Sequence, residues 1–219
     1  MKPVIGLIVP PREPFLPPDA ERLYGARYEF AVEGLGIAEM AVADFDAASG
    51  RVAAAARALG ERGAASIAML GTSLSFFRGA AFNQQLEAGM REASGRPAVT
   101  ATSAVIAELS GAKRLAVGAA YDGDMNERLR LYLEAAGFEV PAVAGMNIRK
   151  VSEAMAVRDT ALTELAAAAC ARAPRADALL LSCGAFAVAH LLPELEARHG
   201  LRVVSSTPAA LHAAVRALR

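Results

Sequence analysis

Short apolar runs alternate with longer alanine-rich segments along this chain. The runs at residues 4–9, 66–70, 115–117 and 178–181 are bounded by glycine, proline or serine, which predicts buried strands. Residues 49–62, 82–93, 126–136 and 160–173 carry apolar residues at helical spacing. Alternation of this kind predicts an α/β fold of parallel sheets covered by helices, in which ligands bind beyond the carboxyl ends of the strands.

The second half of the chain repeats the first. Val9 and Tyr121 lie 112 residues apart, as do Gly71 and Cys183, and each follows an apolar run. Residues 99–103 match residues 204–208 at an offset of 105, and a helical pattern follows both. We therefore expect two pseudosymmetric flavodoxin-like halves, residues 1–112 and 113–219, each a parallel sheet covered by helices. The active site is expected in the cleft between them, and the helix that ends the first half could pack on the second.

Composition limits the kinds of partner. The chain has 219 residues, is 54% hydrophobic, and balances 23 Lys and Arg against 23 Asp and Glu, so no net field attracts nucleic acid or an anionic membrane. No apolar stretch reaches the roughly 20 residues that span a bilayer. The first residues lack the pattern of a signal peptide. We expect a cytoplasmic protein whose partner is a small molecule, with no nucleic-acid or membrane partner.

The cysteines and histidines argue against a metal centre. The two cysteines lack the spacing of a metal site, and the three histidines lie near the end of the sequence without another ligand type beside them. Cys170 sits in a small-residue helix, where a structural role is expected. His190 follows Cys183 by seven residues, and we favour a structural or surface role for it over a Cys-His nucleophilic pair.

The first candidate site is the turn after the run at 66–70. Thr72, Ser73 and Ser75 place hydroxyl groups where a strand gives way to a helix. Such a turn presents free N–H groups and the positive end of a helix dipole to an anion. Taken alone, Gly71-Thr72-Ser73 is also typical of a plain turn with a helix cap. The repeat favours the functional interpretation, because it places this turn opposite Cys183.

The second candidate site is the turn at Cys183. A helix that starts there would lower the pKa of the thiol and leave it partly accessible, whereas the alternative is a buried, inert cysteine. Tyr121 ends another apolar run and would point into the same cleft. Its hydroxyl could donate a hydrogen bond to a substrate oxygen, although a tyrosine at the rim of the cleft is the common alternative. Asp122 or Asp124 would cap the helix that follows.

These strand tips resemble the Asp/Glu racemase superfamily, and within it the arylmalonate decarboxylase family. The resemblance is carried by residues 71–83 (GTSLSFFRGAAFN), together with 8–11 (IVPP), 34–36 (GLG), Tyr121, 126–129 (NERL), 153–155 (EAM), 180–184 (LLSCG) and 203–206 (VVSS). Most catalytic members of the superfamily carry two facing cysteines. Here Gly71 stands at the position of the first, on the aryl side of the substrate, and Cys183 at the second. A racemisation that uses two bases is therefore disfavoured, because one of the two cysteines is missing.

The resemblance implies cofactor-independent decarboxylation of an aryl or alkenyl malonate to an enantiopure 2-arylpropionate-type acid. Thr72, Ser73, Tyr121 and the N–H groups near Ser73 and Gly184 would hold the retained carboxylate, and the catalytic Cys183 would protonate an enediolate. The other carboxylate would sit in an apolar pocket made by Pro10, Ile37, Met40, Phe45, Leu74 and Met155. The implied partner is a small dicarboxylate, with no cofactor and no metal, and we expect a monomer.

Three positions depart from the decarboxylase pattern. Ala185 stands where a second glycine is expected, Phe77 where a tyrosine is expected, and Ser152 where an apolar pocket residue is expected. A hydroxyl of Ser152 aimed into the pocket would solvate the leaving carboxylate and weaken the reaction. The alternatives are a maleate isomerase, a relative of the amino-acid or hydantoin racemases, or a non-catalytic homologue that only binds carboxylates.

Overall fold

The computed structural model describes residues 2–218, which form two four-stranded parallel sheets. The strands of the first sheet are β1 (Val4–Val9), β2 (Glu29–Gly34), β3 (Ala64–Met69) and β4 (Ala98–Thr100). Those of the second are β5 (Leu115–Ala119), β6 (Val143–Gly145), β7 (Ala178–Ser182) and β8 (Arg202–Ser205). The strand orders β2-β1-β3-β4 and β6-β5-β7-β8 are equivalent. The predicted α/β fold with two related parallel sheets is confirmed.

Helices connect the strands and flank both sheets. In chain order they are α1 (Pro18–Tyr24), α2 (Val42–Ser49), α3 (Val52–Glu61), α4 (Thr72–Phe76), α5 (Ala80–Ser94), α6 (Ala101–Glu108), α7 (Gly123–Ala135), α8 (Val151–Met155), α9 (Asp159–Arg172), α10 (Leu192–His199) and α11 (Ser206–Arg216). The helices predicted at 82–93, 126–136 and 160–173 correspond to α5, α7 and α9. The segment 49–62 is occupied mainly by α3. None of the helices described within residues 2–218 is long and apolar enough to cross a membrane.

The central strands of each sheet are the apolar runs found in the sequence. β1 and β3 pair with each other in the first sheet, and β5 and β7 pair in the second. Every residue of β5 and β7 is buried, as expected for parallel strands covered by helices on both faces. Parallel pairing brings the carboxyl ends of neighbouring strands to one edge, so the residues after β1 and β3 emerge together in the first sheet, and those after β5 and β7 emerge together in the second.

Two equivalent helices join the halves. α6 follows β4, α11 follows β8, and the two helices pack against each other. α11 also packs on β3, where the buried Ser66 hydroxyl donates a hydrogen bond to the Ala214 carbonyl at 2.9 Å, and α6 also contacts β8. Each half therefore contributes its last helix to the contact between the halves.

Candidate active site

A small cavity lies where the carboxyl ends of β1, β3, β5 and β7 meet, and we call it the inner cavity. It is lined by Pro10, Ile37, Met40, Phe45, Leu70, Gly71, Thr72, Ser73, Leu74, Tyr121, Val151, Cys183, Gly184 and Ala185. Its volume is about 20 Å³, which is room for about one water molecule. The two strand tips singled out in the sequence therefore face the same closed space.

The first tip is the turn between β3 and α4. Thr72 and Ser73 start this helix, and both side chains are buried. The Ser75 N–H donates to the Gly71 carbonyl at 3.1 Å, so the N–H groups of Ser73 and Leu74 have no acceptor one turn earlier in the helix. Within residues 2–218 the Thr72 hydroxyl also lacks a hydrogen-bond partner. The tip thus offers unused donors to the oxygen atoms of a ligand.

Tyr121 follows β5 and its side chain is buried. The hydroxyl lies 3.5 Å from Ser182 Oγ, and the ring packs edge-on against Phe76 with ring centroids 5.6 Å apart. Burial, and then the nearby Cys183, raise the pKa of Tyr121 well above its usual value, which loose contacts with the Ser182 and Thr72 hydroxyls offset only in part. The phenol therefore stays protonated and can donate a hydrogen bond. Asp122, one of the two caps considered for α7, is its N-cap and accepts from the Met125 N–H at 3.2 Å.

The second tip is the turn that follows β7, and its Cys183 is only 3% exposed. Burial raises the pKa of the thiol to about 12, and the backbone N–H groups of Ala185 and Phe186 lower it only in part. The expectation of a partly accessible thiol with a pKa lowered by a helix dipole is wrong, because the next helix begins only at Leu192. The thiol is therefore protonated near neutral pH. It is suited to donate a proton rather than to attack as a thiolate.

The apolar side of the inner cavity contains most of the residues expected there. Of the six candidate pocket residues, the structure brings together Pro10, Ile37, Met40, Phe45 and Leu74. Met155 lies outside this group, is 40% exposed, and lines a neighbouring cavity. Within the described residues, those lining the inner cavity carry no charged side chain. A carboxylate on this side would have neither a counter-ion nor a hydrogen-bond donor.

Val151 is a lining residue that the sequence did not reveal. It begins α8, is buried, and contributes to the inner cavity, whereas its neighbour Ser152 is exposed and lines the neighbouring cavity. The hydroxyl of Ser152 is therefore kept off the apolar wall, and an isopropyl group takes its place. A β-branched residue directly before Ser152 was the available signal. The resemblance fixed the segment, but not which side chain of the short helix turns inward.

A larger outer cavity of about 430 Å³ lies beside the inner one. Ile37 and Val151 line both cavities. Segments from the two halves are joined here, because the Met40 N–H donates to the Arg149 carbonyl at 2.7 Å and the Val151 N–H donates to the Ala38 carbonyl at 3.0 Å. These hydrogen bonds close the inner cavity. A ligand larger than a water molecule needs more room than the inner cavity offers in this structure.

The remaining candidates lie apart from the inner cavity. Cys170 is a half-buried residue of α9. The His190 ring lies 2.8 Å from an Asp159 carboxylate oxygen at the surface. Phe77 packs edge-on against Phe45 with ring centroids 5.4 Å apart, so it supports the apolar wall from behind. Across residues 2–218, no three His, Cys, Asp or Glu side chains are grouped as they would be around a metal ion.

A family model and a curated relative both match this chain, and they indicate the same family. The family model described as arylmalonate decarboxylase matches residues 5–219. The arylmalonate decarboxylase of Bordetella bronchiseptica is 43% identical over 217 residues, which are 98% of this chain and 90% of that protein.

Solved structures agree with this family. A liganded arylmalonate decarboxylase, in which one glycine is replaced by cysteine and one cysteine by serine, matches with a TM-score of 0.95 and 39% identity, covering 99% of this chain and 93% of that one. A maleate isomerase from Pseudomonas putida S16, solved with maleate, matches with a TM-score of 0.92 over 100% of this chain and 92% of that chain. Its identity is 18%, so it shares the fold alone.

Proposed function

Since this chain belongs to the arylmalonate decarboxylase family, we propose that it removes carbon dioxide, without a cofactor, from disubstituted malonates that carry an aryl or alkenyl group. The product is one enantiomer of a 2-arylpropionate-type acid. The observation that carries the proposal is a single protonated thiol, that of Cys183, in an uncharged cavity with hydrogen-bond donors on one side and apolar side chains on the other.

The retained carboxylate lies on the donor side of the inner cavity. The hydroxyls of Thr72, Ser73 and Tyr121 bind its oxygen atoms, together with the N–H groups of Ser73 and Gly184. The unpartnered Thr72 hydroxyl and the protonated phenol support this assignment. Negative charge grows on these oxygens during the reaction, and one fixed donor of this kind is worth about 3 kcal/mol in a comparable site.

The leaving carboxylate lies against the apolar side. Its neighbours are Pro10, Ile37, Met40, Phe45 and Leu74, which lie together in the inner cavity, and Val151. A carboxylate without water or donors is raised in free energy, and the loss of neutral carbon dioxide removes that penalty. Met155 lies in the outer cavity and would join this wall only if α8 moves when substrate binds.

The reaction ends with one proton transfer. The bond between the α-carbon and the leaving carboxylate breaks, and its electron pair forms an enediolate with the retained carboxylate. The thiol of Cys183 gives its proton to the α-carbon, and the resulting thiolate recovers a proton from water. The N–H groups of Ala185 and Phe186, which lower the pKa of the thiol, also lower the free energy of the transient thiolate.

Only one face of the enediolate meets a proton donor. Gly71 stands at the position equivalent to Cys183 and carries no side chain. A maleate isomerase or a racemase normally needs a cysteine there, which makes both alternatives less suitable. A non-catalytic homologue would bind a carboxylate without turnover. All the proposed groups come from one chain, so a monomer is sufficient for activity.

The proposed function is tested with phenylmethylmalonate as substrate. We expect purified protein to release carbon dioxide without added cofactor and to form one enantiomer of 2-phenylpropionate. Release of carbon dioxide is followed by gas detection, and the product is analysed by chiral chromatography. A racemic product would contradict protonation from one face. If no carbon dioxide is released, conversion of maleate or an amino acid would favour the isomerase and racemase alternatives.

Replacing Gly71 by cysteine is expected to add racemisation of 2-phenylpropionate to the activity. A Cβ atom at this position would lie 3.4 Å from Leu74 Cβ and 3.7 Å from Leu74 Cδ2, which is ordinary contact, so a thiol fits opposite Cys183. The measurement is exchange of the α-proton of one enantiomer in deuterated water. Gly71→Ser is the matched control, because it adds a group of similar size that is a far weaker acid. A Gly71→Cys variant that exchanges no α-proton contradicts the mirrored arrangement of the two tips.

A further inference from the structure

Each tip of the inner cavity receives a hydrogen bond from a buried threonine on a neighbouring helix. The Thr102 hydroxyl, on α6, donates to the Thr72 carbonyl at 3.2 Å. The Thr207 hydroxyl, on α11, donates to the Gly184 carbonyl at 2.9 Å. Thr102 is 2% exposed and Thr207 is 1% exposed. Neither threonine lines the inner cavity, so neither contacts a ligand there directly.

The two contacts are equivalent under the internal repeat. Thr72 and Gly184 are 112 residues apart, which is the offset between Gly71 and Cys183. Thr102 and Thr207 are 105 residues apart, which is the offset of the matching segments 99–103 and 204–208. α6 and α11 start directly after β4 and β8. The same hydroxyl-to-carbonyl contact therefore occurs at the same place in both halves.

The receiving carbonyls belong to peptide groups whose N–H sides face the reaction. The Thr72 carbonyl shares its peptide group with the Ser73 N–H, one of the donors proposed for the retained carboxylate. The Gly184 carbonyl shares its peptide group with the N–H of Ala185, which lines the inner cavity beside Cys183 and whose N–H lowers the pKa of the Cys183 thiol. A hydrogen bond to the carbonyl of a peptide polarises that group and strengthens its N–H as a donor.

We propose that Thr102 and Thr207 are positioning residues, which orient and polarise the Thr72–Ser73 and Gly184–Ala185 peptide groups for decarboxylation. This inference rests on the proposed function above. Thr102 strengthens the Ser73 N–H that meets charge on the enediolate, and Thr207 strengthens the Ala185 N–H that meets charge on the thiolate. Both interactions grow in strength as charge develops, so the threonines act on kcat more than on KM.

The first tip has a second hydroxyl in the same contact. The Ser75 hydroxyl donates to the Thr72 carbonyl at 2.7 Å and also contacts the Thr102 hydroxyl. The position 112 residues after Ser75 is Ala187, so the second tip lacks this group. Removing the hydroxyl of Thr102 therefore leaves one donor on its carbonyl, whereas Thr207 has no such neighbour. We expect Thr207→Val to have the larger effect.

The test compares valine with serine at each threonine, since valine keeps the shape and serine keeps the hydroxyl. Thr207→Val is expected to lower kcat about tenfold and Thr102→Val about fivefold, with KM changed by less than about twofold. The serine variants keep kcat within about twofold of the wild type. In ¹H–¹⁵N spectra, the amide proton of Ala185 moves to higher field in Thr207→Val, and that of Ser73 does so in Thr102→Val.

Ser66→Ala is the matched control. It removes a buried hydroxyl-to-carbonyl hydrogen bond far from the inner cavity, so it lowers the melting temperature without changing kcat. Valine variants with wild-type kcat, or serine variants as slow as the valine variants, overturn the inference. The amide shifts need no turnover. The protein could show the expected changes in amide chemical shift but release no carbon dioxide. That result would refute the proposed function and still support the polarisation of the two peptide groups.

Discussion

Replacing Cys183 by alanine is expected to lower kcat for decarboxylation about a thousandfold while the fold stays intact. The thiol is the one acidic group proposed to reach the α-carbon, and burial raises its pKa to about 12, so it holds its proton until the enediolate forms. The donors at Thr72, Ser73 and Tyr121 remain in the variant. It should therefore still bind a product such as 2-phenylpropionate, which can be measured by calorimetry beside the rate of carbon dioxide release.

The second cysteine gives the matched control for this variant. Cys170 lies on α9, away from the inner cavity, and Cys170→Ala is expected to keep kcat within about twofold of the wild type. Circular dichroism and thermal unfolding of both variants separate loss of chemistry from loss of fold. Near-normal decarboxylation by Cys183→Ala would remove this thiol from the mechanism, whatever the behaviour of Cys170→Ala.

The four central strands, most helices and the presence of two related halves could be predicted from the sequence for a simple physical reason. A parallel strand covered on both faces must be apolar along its length, and that makes β1, β3, β5 and β7 visible as short runs. The repeat then placed Gly71 opposite Cys183. The structure brings these residues to one cavity, together with Thr72, Ser73 and Tyr121.

The environment of Cys183 could not be read in the same way. Gly184 and Ala185 after a strand are as compatible with the start of a helix as with an open turn. Here the chain runs through turns and loop until α10 begins at Leu192. This difference reverses the direction in which the thiol pKa is shifted, because the effect of burial is not opposed by the dipole of a helix that starts at Cys183. A single-sequence pattern carries no measure of burial at such a position.

The inward-facing residue of α8 was also not predicted from the sequence. This helix has five residues, Val151–Met155, too few to show a helical period. Its orientation is set by the contact of the Val151 N–H with the Ala38 carbonyl, which joins segments more than one hundred residues apart. Val151 therefore turns inward, while Ser152 and Met155 face the outer cavity. The apolar wall therefore contains Val151 where Met155 was expected.

Replacing Gly184 by alanine is expected to abolish activity and to destabilise the fold by at least about 3 kcal/mol. A Cβ atom at Gly184 would lie 1.8 Å from the Leu70 carbonyl oxygen and 3.0 Å from its carbon. These are backbone atoms at the tip of β3, so they cannot swing aside as a flexible side chain would. The second tip therefore lies directly against the first at Gly184, and this variant tests that close approach.

Gly71→Ala is the matched control for folding, since its Cβ would meet only Leu74 side-chain atoms at 3.4 and 3.7 Å. We expect thermal unfolding of Gly184→Ala to begin about 10 °C below that of the wild type, whereas Gly71→Ala unfolds within a few degrees of it. A Gly184→Ala variant with wild-type stability and turnover would mean that the tips do not approach this closely. The proposal that the Gly184 N–H shares one carboxylate with Thr72 and Ser73 would then lose the close approach on which it rests.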